Sequence, residues 1–307
     1  MISATLYSDP ACPWGYSENP ALRVLEWRYD DQLDWRLVVI GLSEDASRYA
    51  AHGYTPLRGA LSQVHFRRYG MPFSPAPKER MSATARACRA VVAARLADPG
   101  SEWRVFRALQ LANFTTPLLL DADEQLADAL RGLPGVDAVA IVASLDDPAV
   151  TEAYQQDRAE ARTAAGTASE LQGKTATSDG SVRYTAPSVV FEQDGRRLEA
   201  GGFQPVEAYD VLVANLDPKL HRRPVPETPA PLLENFPDGV TTQEVAAMLA
   251  DGNDAPDRER AETALLELVA SGEFVRVPLG DDALWLTAGA DASVRSGARG
   301  RAVGLAV

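Results

Sequence analysis

The chain is poor in sulfur and in imidazole. Its 307 residues include two cysteines, Cys12 and Cys88, and three histidines. Two cysteines in a chain of this length cannot form a disulfide scaffold. The histidines have no cysteine or carboxylate cluster at ligand spacing, which argues against a metal site. No apolar run approaches the roughly 18 residues needed to cross a bilayer, so no membrane span is expected. A Gly-x-Ser-x-Gly elbow and a phosphate-cradling glycine loop are both missing, which removes the usual hydrolase and nucleotide-site signatures. Positive charge is also short: 30 Lys and Arg against 43 Asp and Glu leave a formal net charge of -13. That balance argues against nucleic acid or an anionic membrane as the main partner. The N-terminus has no basic stretch leading into an apolar one, so a cytoplasmic location is expected.

What the chain does have is the composition of a globular protein, with 46% hydrophobic residues. Its length suggests two or three domains of roughly 100–200 residues each. The most informative residue is Cys12, in Ser8-Asp9-Pro10-Ala11-Cys12-Pro13-Trp14-Gly15-Tyr16. Residues 2–7 before it read as a strand, and residues 13–30 after it read as one helix with Leu22, Leu25 and Trp27 on its apolar face. A cysteine at a helix start faces unpaired N–H groups and the positive end of the helix dipole, so a lowered pKa and a reactive thiolate are expected there. The alternative reading is an inert cysteine. Residues 34–42 read as a second strand. Strand, helix, strand at this spacing is a βαβ unit with parallel strands, and Cys12 then lies at the carboxyl edge, where open α/β sheets place their sites.

From residue 43 to about 174 the pattern is helical. Segments 82–96, 102–113, 122–130, 136–144 and 148–165 are separated by proline and glycine stops. Sheet patterning returns at 188–193 and 196–200, joined by the hairpin signal Asp194-Gly195, and residues 204–216 read as a closing helix. Pro187, just before that hairpin, is a candidate cis-proline. A proline-rich linker follows. Beyond it, helices at 241–250 and 257–271 and a hairpin at 274–277 and 283–287 resemble a winged-helix module. The tail after it, rich in glycine, alanine, serine and arginine, is expected to be disordered.

This order of elements resembles the DsbA family of thioredoxin-fold proteins, and within it the FrnE-like and 2-hydroxychromene-2-carboxylate isomerase/kappa-glutathione-transferase branches. The likeness spans roughly residues 1–222 by element order. It is carried by Ser8-Asp9 with Cys12-Pro13-Trp14, by Gly70-Met71-Pro72-Phe73, and by Thr185-Ala186-Pro187-Ser188-Val189-Val190-Phe191. The implied fold class is α/β, a thioredoxin-like domain (1–42 and 184–222) with a helical insertion (43–183). A linker (223–232), the winged-helix-like module (233–288) and the tail (289–307) complete the chain. The resemblance implies that Cys12 is the attacking sulfur, and that Pro13, Trp14, Gly15, Ala186 and Pro187 line the substrate groove. The family's redox members carry Cys-X-X-Cys, whereas this chain has Gly15 at the fourth position. A local dithiol cycle is then impossible. Glycine there is expected to open room beside the sulfur.

The leading functional expectation is a thiol–disulfide oxidoreductase with a single active-site cysteine. No tightly bound cofactor is expected, and a low-molecular-weight thiol of glutathione or mycothiol type would complete turnover on a thiol or disulfide substrate. The alternatives are a small-thiol-dependent isomerase or transferase, and a non-enzymatic interaction protein. Cys88 reads as a small buried helix residue. The basic, aromatic island His65-Phe66-Arg67-Arg68-Tyr69 reads as a solvated helix face. Trp14 and Tyr16 are read either as pocket walls or as core. The acidic C-terminal module suits docking or self-association into a homodimer better than DNA binding.

Overall fold

A computed structural model describes residues 1–290 apart from Pro75, Asp179 and Asn253. Most of the C-terminal tail lies outside the described residues. Strand β1 (Ile2–Ser8) leads into helices α1 (Pro13–Ser17) and α2 (Asn19–Tyr29), then strand β2 (Leu33–Val39). The single helix expected over 13–30 is thus two. Pro20 has no N–H to donate to the preceding turn, so the ladder breaks just before it. β1 and β2 pair in parallel, with Leu6 opposite Leu37 and Ser8 opposite Val39.

The insertion is helical: α3 (Ser47–Ala51), α4 (Pro56–Phe66), α5 (Ala85–Ala97), α6 (Ser101–Thr115), α7 (Asp123–Leu130), α8 (Ala138–Ala143), α9 (Pro148–Ala161) and α10 (Ala168–Leu171). α4 has no counterpart among the helices expected from sequence. Pro56 occupies its first turn and Thr55 caps it by accepting from the Arg58 N–H. A short ladder not anticipated from sequence, β3 (Thr175–Ala176) with β4 (Arg183–Tyr184), follows. Then β5 (Ser188–Gln193) and β6 (Arg196–Gly201) form the hairpin, and α11 (Val206–Leu216) packs back onto it. Asp194 and Gly195 both take positive φ at its tip, at 51° and 76°. β5 runs antiparallel to β1, giving the sheet order β2-β1-β5-β6. The two central strands, β1 and β5, are almost wholly buried, as covering both faces of a sheet with helices requires.

The segment expected as a linker is held along α2. Arg223 N–H donates to the Arg28 carbonyl, and the Trp27 indole donates to the Pro224 carbonyl at 3.0 Å. The C-terminal unit comprises α12 (Ala230–Asn235), β7 (Val240–Thr241), α13 (Thr242–Met248), α14 (Arg258–Ala270), β8 (Phe274–Leu279) and β9 (Asp282–Thr287). Its strands form a sheet of order β7-β9-β8. Thr241 and Glu244 form a reciprocal capping box at the start of α13. No helix among the described residues is long and apolar enough to cross a membrane.

This unit is fastened to the rest by buried contacts. Val24 and Trp27 of α2 join its core around Trp285, while Val277, Leu279, Leu284 and Leu286 pack on Tyr16, Phe66, Met71 and Phe73. Gly280 takes φ 58°, and a Cβ there would come within 3.0 Å of the Phe73 backbone, so the hairpin tip can approach only as glycine. The basic island is partly drawn into this junction, while its His65 and Arg68 stay exposed to solvent. Phe66 is buried, and Arg67 pairs with Asp281 at 2.8 Å. At the centre, Arg107 of α6 grips both Glu244 carboxylate oxygens at 2.7 and 2.8 Å and donates to the Gly239 carbonyl. Burial alone would push the Glu244 carboxyl up, but the Arg107 charge outweighs it and holds it below the usual range. Removing one partner of a buried pair strands the other charge. Glu244→Ala is expected to destabilise the whole chain by about 3–5 kcal/mol, read as a lowered denaturant midpoint. Loss of the C-terminal unit alone, with the rest unaffected, would contradict that coupling.

Candidate functional site around Cys12

β1 ends at Ser8, and the chain turns through Asp9 before α1 begins. Asp9 organises that turn. Its carboxylate accepts from the Ala11 N–H and the Leu42 N–H, both at 2.9 Å, and from the Cys88 thiol at 3.5 Å. The Cys12 N–H donates to the Asp9 carbonyl at 3.1 Å, which fixes Cys12 as the extended N-cap of α1. From there its thiol donates to the carbonyl of Ala186 at 3.1 Å. The Ala186–Pro187 peptide is cis. Residues 174 positions apart in sequence thus meet at one point, Cys12 on one half of the sheet and the Ala186-Pro187 turn on the other.

The thiolate expected from sequence is not what this environment favours. Cys12 is only 6% exposed and lies among Tyr7, Val38, Ile40, Tyr184 and Val190. Desolvation pushes its pKa up to about 11, and the nearby Asp9 charge adds to the rise. The N–H groups of Gly15 and Trp14 pull it down but do not compensate. Fewer backbone donors face Cys12 than a longer helix start would offer. Pro13, at the first helical position, has no N–H, and α1 is a five-residue turn with a correspondingly short dipole. Cys88 is fully buried on α5 and its thiol is likewise pushed well up, by burial and by Asp9. Asp9 is itself raised by burial, against the N–H groups that favour its charge. The two cysteines are both free.

Gly15 does not open room beside the sulfur. A Cβ on it would sit 2.7 Å from Ser8 Oγ and 3.7 Å from the Cys12 Cβ. The glycine is needed for close packing of α1 on the end of β1. Tyr16 points into the core, its hydroxyl donating to the Pro72 carbonyl at 2.8 Å, whereas Trp14 is 38% exposed. Trp14 packs edge-on against Phe66 and beside Tyr69 and Phe203. With Ala11 and Pro13 it walls a cavity of about 450 Å³ between the thioredoxin-like part and the insertion. Its far side is formed by α3, α4, α6 and the loop before α5, including Tyr49, Gln63, Lys78 and Ser82. Cys12 itself does not line it.

Cys12 and the Ala186-Pro187 turn, singled out in sequence, come together in the structure, and Trp14, read either as pocket wall or as core, lines the cavity, whose far wall had no counterpart in the sequence reading. Lys78 carried one available signal. It is one of three lysines among 30 basic residues, in a segment otherwise written in arginine. Glu18, at the joint of α1 and α2, was missed as well. It accepts from the Tyr209 hydroxyl at 2.9 Å, and burial pushes its carboxyl up to about 8.

A family model, the DSBA-like thioredoxin domain, matches residues 5–167, more than half of the chain. The chain belongs to the DSBA-like thioredoxin domain family. Among solved structures, a candidate DsbA oxidoreductase from Streptomyces coelicolor superposes with a TM-score of 0.53 at 18% identity, over 75% of this chain and 95% of that one. A candidate protein disulfide isomerase from Nitrosomonas europaea gives 0.52 at 17% identity, over 70% and 96%. The cytosolic disulfide reductase DsbM from Pseudomonas aeruginosa gives 0.49 at 20% identity, over 70% and 98%. The first two likenesses establish a shared DSBA-like fold. None of the curated proteins matches the chain in sequence.

Two outcomes follow for this DSBA-like site. Alkylation of Cys12 by iodoacetamide, followed across pH, should reach half its limiting rate near pH 11, and a midpoint at or below about 8.5, that of free cysteine, would contradict the buried thiol. Gly15→Cys, which restores the family's second sulfur, should lower stability by about 1–3 kcal/mol through overpacking on Ser8. Adding Ser8→Ala should recover part of that loss in the same denaturation measurement.

Proposed function

We propose that this protein is a thiol-dependent enzyme acting on a small molecule in the cavity beside Trp14, with an external thiol of glutathione or mycothiol type as the reacting sulfur. The observation that carries this reading is the state of Cys12: its proton is engaged by the Ala186 carbonyl, and Gly15 stands where a second sulfur would be. At pH 7 a thiol with a pKa of about 11 is ionised roughly once in ten thousand, against about once in thirty for free cysteine. Such a group is a poor attacking sulfur. A volume of about 450 Å³ with mainly apolar walls is of the size that holds small ligands. The reaction class is isomerisation or transfer through the bound thiol. A reducing compartment such as the cytoplasm, rich in such thiols, suits it.

Family membership and the Pro187 turn facing Cys12 support a second reading, monothiol exchange at Cys12 itself. The C-terminal helices and hairpin are read as a winged-helix-like module used as a brace, since Glu244, Asp281 and Asp282 bind arginines of the chain or lie at the junction.

Intact-protein mass spectrometry separates the two readings. After exposure to oxidised glutathione or mycothiol disulfide at pH 7.5, Cys12 should stay unmodified over the time a free cysteine exchanges. The reduced thiol should bind without a covalent bond in equilibrium dialysis. A mixed disulfide on Cys12 formed at the free-cysteine rate would overturn the first reading in favour of monothiol exchange. Neither binding nor adduct would leave an interaction scaffold.

A further inference from the structure

Three polar side chains stand on the far wall of the Trp14 cavity among apolar neighbours such as Phe66, Met81 and Phe114. The Ser82 hydroxyl, on a residue 7% exposed, has no hydrogen-bond partner among the described residues, and neither does Gln63 Oε1. Lys78 Nζ donates to Asn113 Oδ1 at 3.0 Å and to the Leu118 carbonyl. No carboxylate pairs with it among the described residues. Asp121, whose charge acts on it, is taken by a fork from Arg80 at 2.7 and 2.9 Å and by the Ala83 N–H.

A neutral amine has two N–H donors and one lone pair. Both donors of Lys78 have fixed acceptors, which leaves the lone pair free to point elsewhere. An arginine could not supply this, because its guanidinium does not deprotonate. We propose that Lys78 is a covalent anchor for small apolar aldehydes bound in this cavity. The amine lone pair forms a bond to the carbonyl carbon, and the carbonyl oxygen takes up a proton, giving a carbinolamine. The C–O bond then breaks, the oxygen leaves as water with the remaining amine proton, and an imine remains. The unpartnered Ser82 hydroxyl is a donor for that oxygen as it gains charge, and the apolar wall accepts the body of the aldehyde.

The electrostatics agree with this geometry. Burial pushes the Lys78 ammonium down to about 7, with the Asp121 charge pulling in part the other way. The other titratable groups around the cavity are the phenols of Tyr49 and Tyr54. Lys174 and Lys219 are exposed and lie outside it.

This inference rests on the cavity being the substrate site, but its test contains no thiol, so it can fail or succeed apart from the sulfur chemistry. The full chain is incubated with benzaldehyde and sodium cyanoborohydride, and the reduced benzyl adduct is mapped by peptide mass spectrometry. Near pH 7 about half of Lys78 is neutral, against about one part in 2,500 for an ordinary lysine. Lys78 should therefore be labelled at least about a hundredfold faster than Lys174 or Lys219, with a rate that rises to a plateau above about pH 7. Lys78→Arg keeps the cation and should lose that adduct, and Ser82→Ala should slow it. Equal labelling of all three lysines, labelling of the terminal amine alone, a rate still climbing at pH 10, or no adduct would overturn the proposal. The wild-type map decides the matter even if a variant fails to fold.

Discussion

Desolvation at the end of β1 is the constraint on which the site depends. Asp9, Cys12 and Cys88 are taken out of water together; backbone groups of neighbouring elements satisfy Asp9 and Cys12, and Cys88 donates to the Asp9 carboxylate. The Asp9 carboxylate holds the Ala11 and Leu42 N–H groups, so the turn after β1 and the exit of β2 share one acceptor. With that turn fixed, the Cys12 thiol meets the Ala186 carbonyl, and both halves of the split thioredoxin-like sheet close on one sulfur. In water a thiol at a helix start would favour its anion. Within this apolar lining the charged form lacks solvent, and two N–H groups do not replace it.

The same principle, a polar group removed from water and paired or left unpaired, separates the structural parts of the molecule from the reactive ones. Arg107 and Glu244 are buried and joined by two short hydrogen bonds, and they tie the C-terminal unit to α6. The capping box uses Glu244 twice, once for its own helix and once for the junction, so local and long-range order depend on one carboxylate. On the cavity wall the balance is different. Ser82 and Gln63 carry buried polar atoms without partners, and Lys78 is hydrogen-bonded but has no paired carboxylate among the described residues, the state expected where a ligand is to supply what is missing.

The C-terminal unit has a structural part in the site without touching the sulfur. Its hairpin supports the Phe66–Phe73 segment, Phe66 packs edge-on against Trp14, and Trp14 forms the near wall of the cavity. The aromatic residues read in sequence as a solvated face are therefore links in a chain of contacts from β8 and β9 to the cavity. Isolated charge runs suggest exposure only when nothing packs against them, and here Asp281 and the hairpin do.

The sequence by itself determined the local elements: the βαβ start, the Asp194-Gly195 hairpin and most helices of the insertion. Each follows from short-range periodicity, turn chemistry or capping. It also determined the missing second sulfur, since Gly15 is a matter of covalent identity. Tertiary structure alone decided what Cys12 is. Its protonation depends on Tyr7, Val38, Tyr184 and Ala186, which come from three other strands and a distant turn. It decided equally that Gly15 is a packing requirement, through Ser8, and that Lys78 faces a cavity without a counter-ion. Burial, close approach and solvent exclusion are sums over residues far apart in the chain, and no local window of sequence contains them.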